Sequence, residues 1–312
     1  MERLSAEKLK ELRAVAQWGV DFAARSRSRS LTRSRGQLHV AAMGIEPPST
    51  PLDIGGAFLL RKVEAPPGIV HLVGKNIDGD AVAMAIARQM EAVTAELVFF
   101  DEKPDSSLEL LWHLAALLKL RGHQIYCPAS STVPWDSVAG AEERSVRLVK
   151  LDDTPARIVV RPPQVVSEVD GEWIDAHYEA ALRLRNRTTS RRFALAFNTM
   201  YSWSHTADPR VALTMLWVAL EALFGDQRDA HVTQALVNRI TAWIPGASAG
   251  KIRSLYALRS DAVHGREFAG TMASETVRET DELLRRALML AIERRRVPLP
   301  DWVSARGSRR RR

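Results

Sequence analysis

A chain of 312 residues, 46% apolar and 26% charged, has the composition of a folded globular protein and not of a disordered or fibrous one. Its formal charge of +7, with all but 8 of its 44 basic residues arginine, points away from cationic partners and towards anionic ones, nucleic acid first. A single cysteine, Cys127, excludes an intrachain disulfide and a cysteine-built metal site.

With no signal-peptide pattern, and apolar runs such as 108–120 interrupted by His113 and Lys119, a soluble cytoplasmic protein is expected. Residues 1–50 read as an N-terminal helix followed by an arm. Leu9, Leu12, Val15, Ala16 and Val20 keep helical spacing, and an alternating Arg/Ser tract follows over 25–35. That tract is either a solvated charge run or a phosphate-contacting arm. Pro47, Pro48 and Pro51 mark an irregular loop.

Residues 51–163 alternate between strand and helix patterns. Strands are expected at 69–73, 97–100, 124–127, 146–151 and 157–160, and helices at 80–93, 108–120 and 142–146. The β-α-β order predicts a small α/β layer with partly parallel strands. Gly74–Asp80 lies where phosphate loops occur but lacks their glycine order, so it reads as a turn and an N-cap, and no cofactor is expected. Asp101, Glu102, Asp105, Asp152 and Asp153 read as loop carboxylates and no metal is expected; His71, His113 and His123 lack ligand spacing.

After Pro162-Pro163 the pattern is helical throughout. Helices are predicted at 173–187, 191–205, from Pro209 at N1 behind an Asp208 N-cap to Gly225, at 229–243, 248–264 and 274–296. Short connections between them imply an up-and-down all-α bundle over 164–297. The chain is thus predicted to be a two-domain α+β protein, closed by a basic tail over 298–312 that carries Arg306 and Arg309–Arg312.

Chemistry is concentrated at Tyr256-Ala-Leu-Arg-Ser-Asp-Ala-Val-His-Gly265. Arg259 is a permanent cation with a planar donor fork suited to phosphate, and His264 carries protons near neutral pH. Five residues on a helix separate them by about 140° and about 7.5 Å, so they converge only if Arg259 reaches along the surface and the helix ends near His264. Gly265 suits such an ending. The plain alternative is an ion-paired arginine and a capping histidine. Glu221, beside an apolar stripe two-thirds along its helix, needs a partner, and Arg259 and Arg239 are the candidates.

Three blocks, Leu216–Gly225, Arg239-Ile240 and Tyr256–Gly265, stand in the order and spacing by which the chain resembles the HEPN superfamily, most closely its Apea-like branch, over about 172–297. Ser260 stands where many members carry Asn, Asp or His, with Asp261 one place later. The resemblance implies a metal-independent endoribonuclease leaving 2′,3′-cyclic phosphate and 5′-hydroxyl ends, in a bacterial defence, stress or toxin-like setting. His264 and Arg259 would be catalytic, with Asp261, Glu221 and Ser260 supporting them and Arg239 and Arg266 contacting RNA. It also implies a homodimer, or a higher homo-oligomer, that brings two motifs into one cleft, with the α/β part meeting a regulatory partner. The alternative is a catalytically silent HEPN module that binds RNA, nucleotide or a partner protein.

Overall fold

Leu38–Met43 (β1), in the stretch expected to be an irregular arm, is an inner strand of a six-stranded sheet. The computed structural model describes residues 37–298 apart from 55–57, 73–74, 76–79, 101–103, 143–144, 152–161, 187–190, 227–230 and 265–269. The side chains of 80–83 and 104–108 are also outside the description. Those residues form two compact units divided between Tyr178 and Glu179.

In the first unit Leu52–Ile54 (β2) and Phe58–Lys62 (β3) form a hairpin, followed by Val93–Phe99 (β4), Ala129–Ser131 (β5) and Leu148–Lys150 (β6). The strand order is β2-β3-β4-β1-β5-β6, and all five pairings are antiparallel. This corrects the expectation of partly parallel strands: parallel pairing occurs among the described residues only at the isolated Glu46–Val165 bridge. The error came from taking strand–helix alternation as crossover connection, whereas helices here also join antiparallel neighbours.

Ile69–Leu72 (α1) is one helical turn and not a strand. Gly68 O accepts the amide of His71 at 3.0 Å, and Ile69 and Val70 face solvent while Leu72 is buried. A four-residue apolar run fits either structure, and the Pro66-Pro67-Gly68 lead-in favours a turn. The strand expected at 124–127 reduces to a bridge, Met43 and Tyr126 exchanging both amide bonds at 3.0 and 3.1 Å. The strand expected at 157–160 lies outside the described residues.

Asp80–Met90 (α2) lays Ile86, Ala87 and Met90 over one sheet face, with Trp135 and Val138 completing that core. Pro104–Leu120 (α3) is apolar from Leu111 to Leu118 except at His113 and is buried there except at Trp112. Glu168–Asn186 (α4) spans the boundary between the units. Its start is a capping box: Ser167 Oγ and Asp170 Oδ2 accept each other's amides at 3.3 and 3.0 Å.

The second unit is helical: Arg191–Ser202 (α5), Pro209–Phe224 (α6), Val232–Trp243 (α7), Ala249–Val263 (α8) and Gly270–Glu293 (α9). Asp208 caps α6 by accepting from the Arg210 amide at 2.8 Å, with Pro209 at N1 as the sequence predicts. Leu213, Leu216, Trp217, Leu220, Leu223 and Phe224 bury the stripe of α6 against α5, α8 and α9. Wholly buried apolar side chains are worth about 1.5–3 kcal/mol each, so α6 is the axis of this unit. Among the described residues no helix is long and apolar enough to cross a membrane.

Candidate functional site

Trp217 of the α6 stripe and Glu221 beside it meet α8 one turn apart. Trp217 packs edge-to-face on Tyr256, with ring centroids 5.1 Å apart. One turn further along α8, Arg259 points back at α6. Its Nη2 lies 3.4 Å from Glu221 Oε1, and its guanidinium carbon sits 5.6 Å from the centre of the Tyr256 ring. The Tyr256 hydroxyl is hydrogen-bonded to Glu221 and to Thr233. Of the two partners the sequence offered Glu221, the structure brings Arg259 to it.

Arg259 is only 9% exposed, and its Nε–H finds no hydrogen-bond partner among the described residues. An arginine cannot shed its proton to escape burial, so its charge is compensated here by Glu221 and by the face of Tyr256. Burial holds the Glu221 carboxyl above its ordinary range and outweighs the opposing pull of Arg259 and the Tyr256 hydrogen bond. Burial, then the nearby Glu221 charge, raises the Tyr256 phenol as well. The cluster is an ionic group inside a helical core, built from groups that resist ionising around one that cannot stop.

His264 is the C-cap of α8. Its backbone has φ −85° and ψ 8°, its amide donates to Ser260 O at 3.0 Å, and its side chain is exposed. The helix therefore ends at the histidine, as convergence of the pair requires. Ser260 and Asp261 sit half-buried on the last turn of α8, between Arg259 and His264. Gly265 and Arg266 lie outside the described residues.

Arg239 is elsewhere. Its Nη1 donates to Phe224 O at 2.9 Å, while Arg192 donates to Gly225 O at 3.1 Å. Two guanidiniums thus close the C-terminal end of α6, where carbonyls lack helical partners and the dipole favours cations.

The first unit holds two charged clusters that periodicity did not single out. Glu96, 1% exposed on β4, takes Arg61 across the β3 pairing, the Trp135 amide at 3.0 Å and His39 Nδ1 at 3.5 Å. These contacts hold its carboxyl below the ordinary range despite burial. Asp170 takes Arg121 at 2.8 Å, His123 at 3.1 Å and the Ser167 hydroxyl at 2.7 Å. Though burial opposes it, the Ser167, Arg121 and His123 hydrogen bonds lower the carboxyl to about 2. Each carboxylate has both oxygens engaged, so these clusters read as fasteners. The sequence signals for them are a polar residue interrupting an apolar run at Glu96 and the Ser167-x-x-Asp170 capping pattern.

Among the described residues no three His, Cys, Asp or Glu side chains gather as a metal site. The acidic residues at 101–102 and 152–153, the Asp105 side chain, most of the loop at 74–80, the Arg/Ser tract and the basic tail lie outside the description. Comparison with protein-family models, with curated proteins and with solved structures finds no match for this chain.

Proposed function

We propose that the chain is an endoribonuclease of HEPN type acting without a metal ion, with Arg259 and His264 as its catalytic residues. The observation that carries this is a division of labour on one helix: a buried, oriented guanidinium with an N–H unused among the described residues, and an exposed imidazole at the helix end. A fixed cation suits charge that develops on phosphoryl oxygens, because it needs no reorganisation when the charge appears.

RNA supplies its own nucleophile. The 2′-oxygen bonds to phosphorus, the bond from phosphorus to the 5′-oxygen breaks, and the products are a 2′,3′-cyclic phosphate and a 5′-hydroxyl. His264 takes the 2′-hydroxyl proton or gives one to the departing 5′-oxygen, a contribution of about 10²–10⁴-fold. One histidine serves one of these roles at a time, so the reading includes a homodimer whose second His264 serves the other. Asp261 and Ser260 are supporting residues, Glu221 orients Arg259, and the first unit receives a trigger or partner in a defence or stress response.

The burial and ion pairing of Arg259 favour a second reading, a catalytically silent module in which the same cluster only holds α6 to α8. Cleavage of cellular RNA in EDTA by the wild type, His264→Ala and Arg259→Ala separates the two. Cyclic-phosphate ends that both substitutions abolish support the nuclease. Cleavage that survives both substitutions makes the motif structural, and inactive wild type with RNA binding unchanged in the variants supports the silent module.

A further inference from the structure

A second basic feature lies at the other end of α8 from His264, and the proposed chemistry does not use it. α7 ends at Trp243, and α8 begins behind its Ser248 N-cap; sixteen residues of helix put this end about 24 Å from His264. The Trp243 indole N–H donates to Ala287 O of α9 at 3.3 Å, which fixes the ring plane. Two guanidiniums gather on that ring, Arg294 at 4.6 Å and Arg296 at 5.5 Å from its centre. Arg294 also donates to Trp243 O at 3.3 Å, and Arg286 to Pro245 O at 2.6 Å.

Capping of the α7 end accounts for one donor each on Arg286 and Arg294. It leaves the other four on each guanidinium, and all of Arg295 and Arg296. Among the described residues none of these four arginines pairs with a carboxylate, and Glu293, on the same turn, is exposed and makes no ion pair. Among the described residues these four guanidiniums have the carbonyl ends of α7 and α9 but no carboxylate, so an arriving anion relieves the repulsion that those helix ends only partly offset.

The backbone gives an independent sign. α9 closes in a Schellman motif, the Arg296 amide reaching Ala291 O and the Arg295 amide reaching Ile292 O, each at 3.0 Å. Arg295 takes the left-handed position with φ 52°, where glycine sits at no cost and an L side chain gives up about 1 kcal/mol. Strained positions of this kind cluster at functional sites, where the surrounding structure holds them.

We propose that Arg286, Arg294, Arg295 and Arg296, with two of them stacked on Trp243, form a surface that binds the phosphate backbone of single-stranded RNA. Arg294 gives one donor to Trp243 O and keeps four, and guanidiniums held over an indole have little rotamer freedom left to lose, which suits binding of phosphates. The sequence continues from this point to five more arginines, Arg306 and Arg309–Arg312, so the positive charge extends along the chain. The choice of RNA over DNA rests on the nuclease reading; the choice of a polyanion rests on the surface. The surface would hold the strand at a distance from the scissile phosphate.

The test is fluorescence anisotropy of the 312-residue chain carrying His264→Ala on labelled single-stranded RNA, titrated with salt. Each phosphate that an arginine no longer neutralises lowers the salt slope by about 0.7. The variant R286A/R294A/R296A should therefore have a slope shallower by about 2, about a hundredfold in affinity near 0.1 M salt for affinities matched near 1 M. Arg295→Gly guards against misfolding: it relieves the strained φ, so it should melt higher and still bind RNA more weakly. A folded triple variant and Arg295→Gly with unchanged slopes would overturn the proposal. Unlabelled single-stranded DNA that displaces the probe better than RNA does would overturn the assignment to RNA. Wild type that fails to cleave sinks the nuclease reading and leaves these curves standing, whereas unchanged curves sink the surface and leave cleavage standing.

Discussion

Replacing Arg259 with methionine tests the central cluster, because it removes the charge and keeps most of the side-chain stem. Glu221 Oε1, 3.4 Å from the guanidinium, then stays beside Trp217 and Tyr256 with no counter-ion. The attraction removed is about 5 kcal/mol gross for that separation at an effective dielectric of about 20. The carboxylate escapes most of this by taking up a proton, which costs about 1.4 kcal/mol per pH unit above its ordinary value. From the ordinary 4.5 of Glu221, that ceiling is about 3.4 kcal/mol at pH 7 and about 0.7 kcal/mol at pH 5. Its side chain is 30% exposed, so screening reduces the pH 7 loss to about 2 kcal/mol.

The sign follows from the direction of the shift. A carboxyl raised in the folded state keeps protons that the unfolded chain has released, so stability is greatest below about 4.5 and falls as pH rises through the folded value. Arg259→Met should therefore be markedly less stable at pH 7 than at pH 5 in urea unfolding followed by circular dichroism. The double variant R259M/E221Q should lose that pH dependence. Glu221→Gln alone should cost about 3 kcal/mol near neutral pH, because it leaves the buried Arg259 charge, which cannot be shed, without its carboxylate. A cost for Arg259→Met that is equal at both pH values, or that persists in the double variant, refutes the stranded-carboxylate account.

Two further perturbations probe the first unit. Asp170, lowered to about 2 from an ordinary 3.8, contributes stability that is fully present above about 3.8 and lost as pH falls towards about 2. Asp170→Asn should forfeit about 2 kcal/mol near neutral pH and flatten acid unfolding between about pH 4 and pH 2; an unchanged acid limb would refute this. Gly44 has φ +81°, and a Cβ there would lie 2.4 Å from Gln124 O, beside the Met43–Tyr126 bridge. Gly44→Ala should lower stability by about 2 kcal/mol or more, read as a lower urea midpoint at unchanged slope; an unchanged midpoint would contradict the close approach.

The helical unit was more legible in the sequence than the sheet, for a physical reason. α6 carries its apolar stripe over four turns with Asp208, Pro209 and Gly225 as punctuation, and local signals alone define it. β1, β5 and β6 are three to six residues long, and their identity comes from partners far along the chain. Their antiparallel register is a property of pairing that no local window contains. At the candidate site, the spacing of Arg259 and His264 was readable, as was the need of Glu221 for a partner. The depth at which Arg259 lies, and the use of Arg239 to close α6, depend on how α6, α7 and α8 pack.

That depth bears on how the proposed nuclease would work. A guanidinium 9% exposed, held by Glu221 and by the Tyr256 face, does not swing out to collect substrate. A scissile phosphate would have to come to it, so the energy of approach must be supplied elsewhere. The four arginines near the α7 end, at the end of α8 that lies about 24 Å from His264, are placed to supply it as counterion release. Binding energy gained remote from the reacting bond can offset the desolvation of a phosphate beside a buried cation. On this view the surface sets RNA affinity and its salt dependence, whereas Arg259 and His264 set the rate once the strand is bound. Neutralising Arg295 and Arg296 should then raise KM with kcat kept, and Arg259→Met should lower kcat at unchanged salt slope.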